Sequence, residues 1–156
     1  MAISARLKWY LDSHGVKYQI VPHFHTTTSL GTAEAAHVPG ERLAKCVLLE
    51  DERGYVMAVL PASRRISLPD LEEQLERHLE LASEDELSQL FRDCEVGAVP
   101  PVGSAYGIPT VVDDSLMNAP DVYFEAGDHE DLVHVRGLEF LTLMMGARHG
   151  RFSRHA

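Results

Sequence analysis

Residues 43–60 read Leu-Ala-Lys-Cys-Val-Leu-Leu-Glu-Asp-Glu-Arg-Gly-Tyr-Val-Met-Ala-Val-Leu, and this stretch decides the fold. An apolar run at 43–49 and a second one at 55–60 flank a polar turn at 51–54 that ends in glycine. Two short apolar runs joined by such a turn are typical of a β-hairpin. The sequence therefore predicts two antiparallel strands that are buried in a sheet.

Helical and extended patterns alternate irregularly on both sides of this hairpin. Helices are predicted at 3–11, 32–37, 68–79, 83–91 and 138–147, and further strands at 16–21, 96–99, 108–112, 122–125 and 132–135. Ser83 and Glu86 form a capping box at the start of the fourth helix. Because no regular strand–helix–strand repeat is present, we expect one α+β domain (mixed α/β) on a curved mixed or antiparallel sheet flanked by helices. The domain should span 1–148, with a flexible tail at 149–156.

Composition and charge restrict the classes of function. The chain has 156 residues and a formal net charge of −10, which disfavours a general nucleic-acid-binding protein. The first 65 residues nevertheless carry a net charge of +2, so a neutral or basic working surface could face away from the acidic part. No apolar run reaches the ~18–20 residues that cross a membrane. Cys46 and Cys94 form no disulfide framework, so we expect two reduced cysteines and a cytoplasmic protein.

Lys45 interrupts the first apolar run of the hairpin. Strand side chains alternate between the two faces of a sheet, so Lys45 and Cys46 should point in opposite directions. One interpretation is a cation at the floor of a pocket, where it binds a phosphate, a carboxylate or a developing oxyanion. The other is a lysine on an edge strand that prevents aggregation. Position alone does not separate them. Cys46 itself is expected to be a buried, unreactive thiol rather than a nucleophile.

Two loops are weaker candidates for a site. Residues 97–103, Gly-Ala-Val-Pro-Pro-Val-Gly, form a rigid segment whose main-chain N–H groups could line a pocket, although a plain connection is the simpler interpretation. Asp128 and His129 could take part in acid–base chemistry, or they could belong to an ordinary polar turn. His23 and His25 could give two metal ligands, but no closed ligand set is visible, so no metal and no cofactor are predicted.

These features together resemble the YbaK-type aminoacyl-tRNA deacylases, which are similar to the editing domain of bacterial prolyl-tRNA synthetases. The matching pieces follow the family order along nearly the whole chain. They are His14-Gly15-Val16-x-Tyr18 with His23, Thr32-Ala33-Glu34-Ala35-Ala36, Leu43-Ala44-Lys45, Gly97-x-x-Pro100-Pro101-x-Gly103, Val111-Val112-Asp113 with Leu116, and Ala126-Gly127.

The resemblance implies hydrolysis of the ester that joins a wrong, small amino acid to the terminal ribose of a tRNA, as in Cys- or Ala-tRNA(Pro). It implies that Lys45 is the essential pocket lysine and that water or a substrate group attacks, without a side-chain nucleophile or a cofactor. The substrate contacts implied are Tyr18, His23, Gly97, Ala98, Pro100, Gly103, Gly127, Asp128 and His129. The alternative is a non-catalytic small-ligand or synthetase-binding module on the same fold.

The expected partner is the aminoacylated 3′ end of a tRNA, and an aminoacyl-tRNA synthetase is a second candidate partner. Arg42, Arg64 and Arg65 flank the hairpin and are predicted to contact RNA phosphates. Surface ion pairs with the acidic segment 69–95 are the simpler interpretation of Arg64 and Arg65. No membrane and no DNA partner is expected.

Overall fold

The predicted hairpin forms the centre of a mixed sheet. The structure is a computed structural model and describes residues 3–155. The ten strands are β1 (Gln19–Pro22), β2 (Leu43–Asp51), β3 (Gly54–Pro61), β4 (Arg64–Ile66), β5 (Glu80–Leu81), β6 (Thr110–Asp113), β7 (Asp121–Glu125), β8 (Asp131–Arg136), β9 (Arg148–Gly150) and β10 (Ser153–His155). The five α-helices are α1 (Ala5–Ser13), α2 (Ser29–Ala36), α3 (Leu68–Leu75), α4 (Glu84–Leu90) and α5 (Gly137–Leu143).

Eight strands form one sheet. Seven of them follow the order β1-β8-β7-β2-β3-β6-β9, and β5 pairs with β2 beside this path. The β2–β7, β3–β6 and β6–β9 pairs are parallel, while β1–β8, β7–β8 and β2–β3 are antiparallel. β4 and β10 form a separate antiparallel ribbon. The predicted α+β domain on a mixed sheet is therefore confirmed.

Both faces of the hairpin are buried, each against a different apolar core. Lys45 pairs with Leu60 and Cys46 pairs with Val59. Cys46 packs against the larger apolar core, which contains Leu7 and Leu11 of α1, whereas Val47 packs against a second core below the other face. Lys45 shares the face of Val47, so the predicted opposition of Lys45 and Cys46 is confirmed.

Two helix ends show why the predicted boundaries shift. α4 begins at the predicted capping box, where Ser83 Oγ accepts a hydrogen bond from Glu86 N–H at 3.2 Å. α3 ends at Leu75 because Glu76 adopts φ 56°, in the left-handed region. Leu79 therefore lies outside the helix, yet it remains buried in the second core.

The segment 149–155, predicted to be a flexible tail, is instead part of the fold. β9 extends the large sheet and β10 pairs with β4. Phe152 between them is fully buried, its N–H donates to Asp113 Oδ1 at 3.0 Å, and its carbonyl accepts from Ser67 N–H at 2.6 Å. A single aromatic side chain thus holds a segment that is otherwise polar. Ala156 lies outside the described residues.

Two further predictions differ from the structure. Residues 96–99 form no strand, because Gly97 adopts φ +88°, which breaks an extended conformation. The last helix ends at Leu143 rather than at 147, and only part of its surface is buried. Phe140 and Leu143 are buried, but Leu138 is 80% exposed.

Candidate functional site

A gap in the sheet beside β2 creates the pocket that contains Lys45. β7 pairs with β2 only at Leu43 and Ala44, and β5 pairs with it only at Leu49 and Glu50. In the part of the chain that the structure describes, residues 45–48 have no partner strand on this side. The pocket that opens there has a volume of about 230 Å³. Its lining consists of Ser29, Leu43, Ala44, Lys45, Cys46, Val47, Leu48, Leu81, Ala82, Leu87, Gly97, Val99 and Glu125.

The main chain of Cys46 faces this gap. On the same edge of β2, the Arg42 carbonyl accepts from Tyr123 N–H at 2.8 Å. The Leu48 carbonyl accepts from Ala82 N–H at 3.0 Å. Alternate residues of a strand direct their main-chain groups to the same edge, so the N–H and carbonyl of Cys46 point into the pocket. The sheet thereby offers a ligand one donor and one acceptor.

Lys45 is the cation of the pocket. Its side chain is half-buried, and burial lowers the pKa of its ammonium from the ordinary value. Nζ lies 3.5 Å from the carbonyl oxygen of Ala62. Among residues 3–155, no carboxylate is within salt-bridge distance of Nζ. A partly desolvated ammonium without an anionic partner favours binding of a negative or developing negative charge.

The loop at 95–99 forms the wall opposite Lys45. Gly97 lines the pocket, and a Cβ placed on it would lie 3.1 Å from His129 Nε2. Val99 also lines the pocket, and its carbonyl accepts a weak hydrogen bond from Cys46 Sγ at 3.5 Å. The Ala98 N–H is used inside the loop, where it donates to Glu95 at 3.0 Å.

Three predicted contacts from this loop lie behind the pocket rather than in its lining. Ala98 and Pro100 are buried in the core. Gly103 is packed so closely that a Cβ would come within 2.6 Å of the Ile108 carbonyl. These residues fix the course of the loop and do not line the cavity.

A buried polar network stands behind the pocket wall. Glu125, at the end of β7, lines the pocket and has a side chain that is 7% exposed. Its Oε2 accepts a hydrogen bond from Thr32 Oγ1 at 2.8 Å and lies 3.2 Å from His129 Nδ1. Its Oε1 lies 3.6 Å from His23 Nε2, and within residues 3–155 neither of these two atoms has a hydrogen-bond partner. The structure thus brings together His23 and His129, which were predicted, with Glu125, which was not.

Gly127 and Asp128 shape the turn after β7. Asp128 Oδ1 accepts hydrogen bonds from the N–H groups of Glu130 and Asp131, both at 2.9 Å. Burial opposes ionisation of Asp128, but these N–H donors outweigh it and keep the pKa of the carboxyl below its ordinary value. Gly127 packs against Cys94 and Ser4. Neither of these two predicted substrate contacts is in the pocket lining, whereas Glu125, which precedes them, is.

Tyr18 lies away from the pocket. Its hydroxyl donates to Asp12 Oδ1 at 3.2 Å. It lines a separate surface depression together with Lys17, His134 and Arg136. The predicted substrate contact of Tyr18 therefore has no support from its position.

The three predicted RNA contacts differ in availability. Arg42 forms a salt bridge with Asp121 at 3.1 Å. Arg64 Nη1 donates to Ser153 Oγ at 3.5 Å. Arg65 is exposed and faces Arg154 across the β4–β10 ribbon.

Neither cysteine has the properties of a nucleophile. Burial raises the pKa of the Cys46 thiol to about 12 and that of the Cys94 thiol to about 12. Thiols in such surroundings stay protonated near neutral pH. The expected unreactive Cys46 agrees with the burial of its thiol.

Sequence reasoning missed Glu125, Thr32 and Ser29. Glu125 carried one available signal, because an acidic residue directly ends an apolar strand at 122–125. Thr32 lay in a stretch that was recognised as helical, and Ser29 lay before the predicted start of that helix. Only the fold shows that Thr32 binds Glu125 and that Ser29 and Glu125 line the same pocket.

Comparisons with known proteins agree with this geometry. The sequence model of the aminoacyl-tRNA editing domain matches residues 23–143. No curated protein matches significantly.

Two solved structures illustrate the similarity of fold. The hypothetical protein APE2540 has a TM-score of 0.83 and 24% identity, over 96% of this chain and 99% of that one. A candidate trans-editing enzyme for prolyl-tRNA synthetase has a TM-score of 0.81 and 23% identity, over 97% of this chain and 96% of that one. Since the family model covers most of the chain, including the pocket lysine and both loops around it, the chain belongs to the aminoacyl-tRNA editing domain family.

Proposed function

We propose that this protein is a trans-acting hydrolase that removes a small, wrongly attached amino acid from tRNA, with Cys- or Ala-tRNA(Pro) as the substrate type. The observation that carries the proposal is Lys45, a half-buried cation without a carboxylate partner in the described residues, at the floor of a small pocket. The family match supports the choice of an aminoacyl ester as the ligand.

The size of the pocket supports a small amino acid. Its volume of about 230 Å³ lies below the roughly 300–1,000 Å³ of pockets for drug-sized ligands. One methylene of difference in an apolar pocket is worth only ~1–3 kcal/mol, so rejection of larger side chains must come from exclusion. The backbone of β2 and the loop at 95–99 can exclude larger substrate side chains, because main-chain atoms move less than flexible side chains do.

The proposed reaction uses water as the nucleophile. Water adds to the ester carbonyl, the bond to the ribose oxygen breaks, and the products are the free amino acid and a tRNA with a free terminal hydroxyl. The ammonium of Lys45 and the N–H of Cys46 are the donors available to the developing oxyanion. Neither thiol is needed, in keeping with their raised pKa values. Since the ester is already activated, placement and charge stabilisation can supply most of the acceleration.

The direction of the bound RNA is proposed from the position of the ribbon. Lys45 contacts the Ala62 carbonyl, and β4 begins two residues later, which is a chain distance of at most ~7 Å. We expect the phosphates next to the terminal ribose to follow the exposed Arg65 and Arg154. Arg42 and Arg64 already have protein partners and would contribute less.

A panel of charged and mischarged tRNAs tests the proposal, with loss of the ester as the readout and with the cognate synthetase present or absent. We expect faster hydrolysis of a tRNA that carries a small, non-cognate amino acid. Comparing the reaction with and without the synthetase shows whether this cytoplasmic reaction needs a synthetase partner. Absence of acceleration across the whole panel would favour the second candidate, a non-catalytic ligand- or synthetase-binding module.

A further inference from the structure

The ring of His129 is held at both nitrogens behind the pocket wall. Nδ1 lies 3.2 Å from Glu125 Oε2, and Nε2 lies 3.0 Å from the main-chain carbonyl oxygen of Val96. The side chain is only 3% exposed. It therefore connects the end of β7 to the loop at 95–99 through one buried and one partly buried polar contact.

Both partners of the ring are acceptors. A carbonyl oxygen and an ionised carboxylate can only accept hydrogen bonds, so both contacts are hydrogen bonds only when the ring carries two protons. Thr32 Oγ1 donates to the same carboxylate oxygen, Oε2, at 2.8 Å. Thr26 can in turn donate to Thr32, at 2.5 Å between the two hydroxyl oxygens. The arrangement fits an imidazolium paired with a buried carboxylate.

This pair is joined to the surfaces that line the pocket. Gly97 rests against the His129 ring and lines the pocket, while Glu125 itself lines the pocket on the β7 side. Thr32 belongs to α2, whose first residue Ser29 also lines the pocket. Three separate segments of the wall thus depend on one ion pair.

We propose that Glu125 and His129 are positioning residues whose ion pair clamps the Gly97 loop to the end of β7 and thereby sets the shape of the pocket. The catalytic consequence rests on the proposed function, whereas the clamp itself does not. Neither side chain needs to touch the reacting atoms. A displacement of 1 Å in a positioned group can cost about 100-fold in rate, so loss of the clamp should lower kcat.

Other titratable groups face the pair. His23 Nε2 lies 3.6 Å from Glu125 Oε1. The His25 ring meets the His129 ring edge-on, with 5.7 Å between centroids, and its Nε2 lies 3.4 Å from Glu95 Oε1. Because three histidines lie close together, the protonation of His129 must be observed at that residue rather than inferred from a pH profile of the whole protein.

Nitrogen-15 NMR of the His129 ring in the full-length protein at pH 7 tests the clamp without any substrate. We expect two protonated ring nitrogens with slowly exchanging protons. In Glu125→Gln, which keeps the shape and removes the charge, we expect loss of one ring proton and a shifted Gly97 amide signal. Glu130→Gln is the control, because it also removes one negative charge but from the neighbouring turn. It should leave the His129 ring protons and the Gly97 amide signal unchanged. A singly protonated His129 ring in the unaltered protein would overturn the proposal.

Steady-state hydrolysis of a short aminoacyl-nucleotide separates positioning from general structural damage. We expect Glu125→Gln and His129→Gln each to lower kcat about tenfold or more with a small change in KM. The double variant should lose little more than the worse single one, because one residue acts through the other. If the kcat losses of the two single variants multiplied in the double variant, the clamp would be contradicted. An inactive unaltered protein with a doubly protonated ring would instead refute the proposed function and leave the clamp supported.

Discussion

The ammonium of Lys45 lies 3.5 Å from the Ala62 carbonyl oxygen at the floor of a small pocket. One main-chain acceptor leaves most of the hydrogen-bonding capacity of an ammonium free. The alternative interpretation of Lys45, an edge-strand lysine, does not fit its position, because β2 lies inside the sheet between β7 and β3. A gap in the pairing of β2, rather than an edge of the sheet, is what lets the lysine reach solvent.

Gly97→Ala should destabilise the protein and distort the pocket. Gly97 has φ +88°, and the added Cβ would lie 3.1 Å from His129 Nε2. Gly146→Ala is the matched control, because Gly146 has φ +86° but no atom within 4 Å of its Cβ position. Both variants should lose about 1–3 kcal/mol from backbone strain. Chemical denaturation should reveal an additional loss only in Gly97→Ala, and equal losses in the two variants would contradict the close packing on His129.

Removal of Arg65 and Arg154 should weaken tRNA binding. Both side chains are exposed, and Arg154 has only a surface ion pair with Asp70 at 3.5 Å. The double Ala variant should raise KM for a charged tRNA. It should also reduce the slope of log binding constant against log salt concentration by about one for each lost phosphate contact.

A double Ala variant at Arg53 and Arg92 is the control for net charge in this binding experiment. It should leave tRNA binding nearly unchanged. Hydrolysis of a short aminoacyl-nucleotide should change little in either double variant. Equal losses on the long and the short substrate would contradict a contact with the RNA body. A lost interaction with an isolated synthetase, with tRNA binding intact, would assign the ribbon to a protein partner.

Phe152→Ala should cost about 3–5 kcal/mol of unfolding free energy, as usual for a fully buried aromatic side chain. The side chain is 0% exposed and anchors the segment between β9 and β10. Leu138→Ala is the control, since Leu138 is 80% exposed and should cost little. Urea denaturation measures both. A negligible effect of Phe152→Ala would restore the prediction of a flexible tail.

The Asp51–Arg77 pair should make stability depend on acid. The hydrogen bond from Arg77 lowers the pKa of Asp51 to about 2, so the folded state holds this carboxylate ionised more strongly than the unfolded chain does. The contribution is complete above pH ~4, near the ordinary Asp pKa, and disappears as the pH falls towards about 2. Thermal unfolding of Arg77→Ala should lack this part of the acid sensitivity. If stability fell equally steeply between pH 4 and 2 in Arg77→Ala and in the unaltered protein, the role of this ion pair would be contradicted.

Local patterns determined which parts of the molecule could be predicted. The hairpin and the capping box at Ser83 depend on neighbouring residues, and both are present in the structure. The order of the tail could not be predicted, because it depends on one contact of Phe152 with a core formed by distant segments. A single buried aromatic in a polar stretch gives no periodic signal.

The residues of the site likewise divide into those with a local sequence signal and those that depend on distant contacts. Lys45 stood out because a charge in an apolar strand is locally unusual, and Gly97 because glycine and proline restrict the backbone. Glu125 became part of the site only through the parallel pairing of β7 with β2, which no local pattern specifies. The substrate contact of Tyr18 rested on the family resemblance alone and stays a prediction, since its hydroxyl binds Asp12 and its side chain lines a separate depression.

The central claim is that Lys45 acts on the substrate rather than on the fold. Its most direct test is kcat/KM of Lys45→Ala and Lys45→Met for a mischarged tRNA, combined with thermal unfolding of the same samples, with Lys17→Ala as the control for one lost positive charge. We expect a loss of roughly 100-fold or more, the usual effect of removing one oxyanion donor. Thermal stability should be unchanged or higher, because a poorly solvated ammonium opposes folding. Retained activity, or loss of the folded state in both variants, would contradict the account.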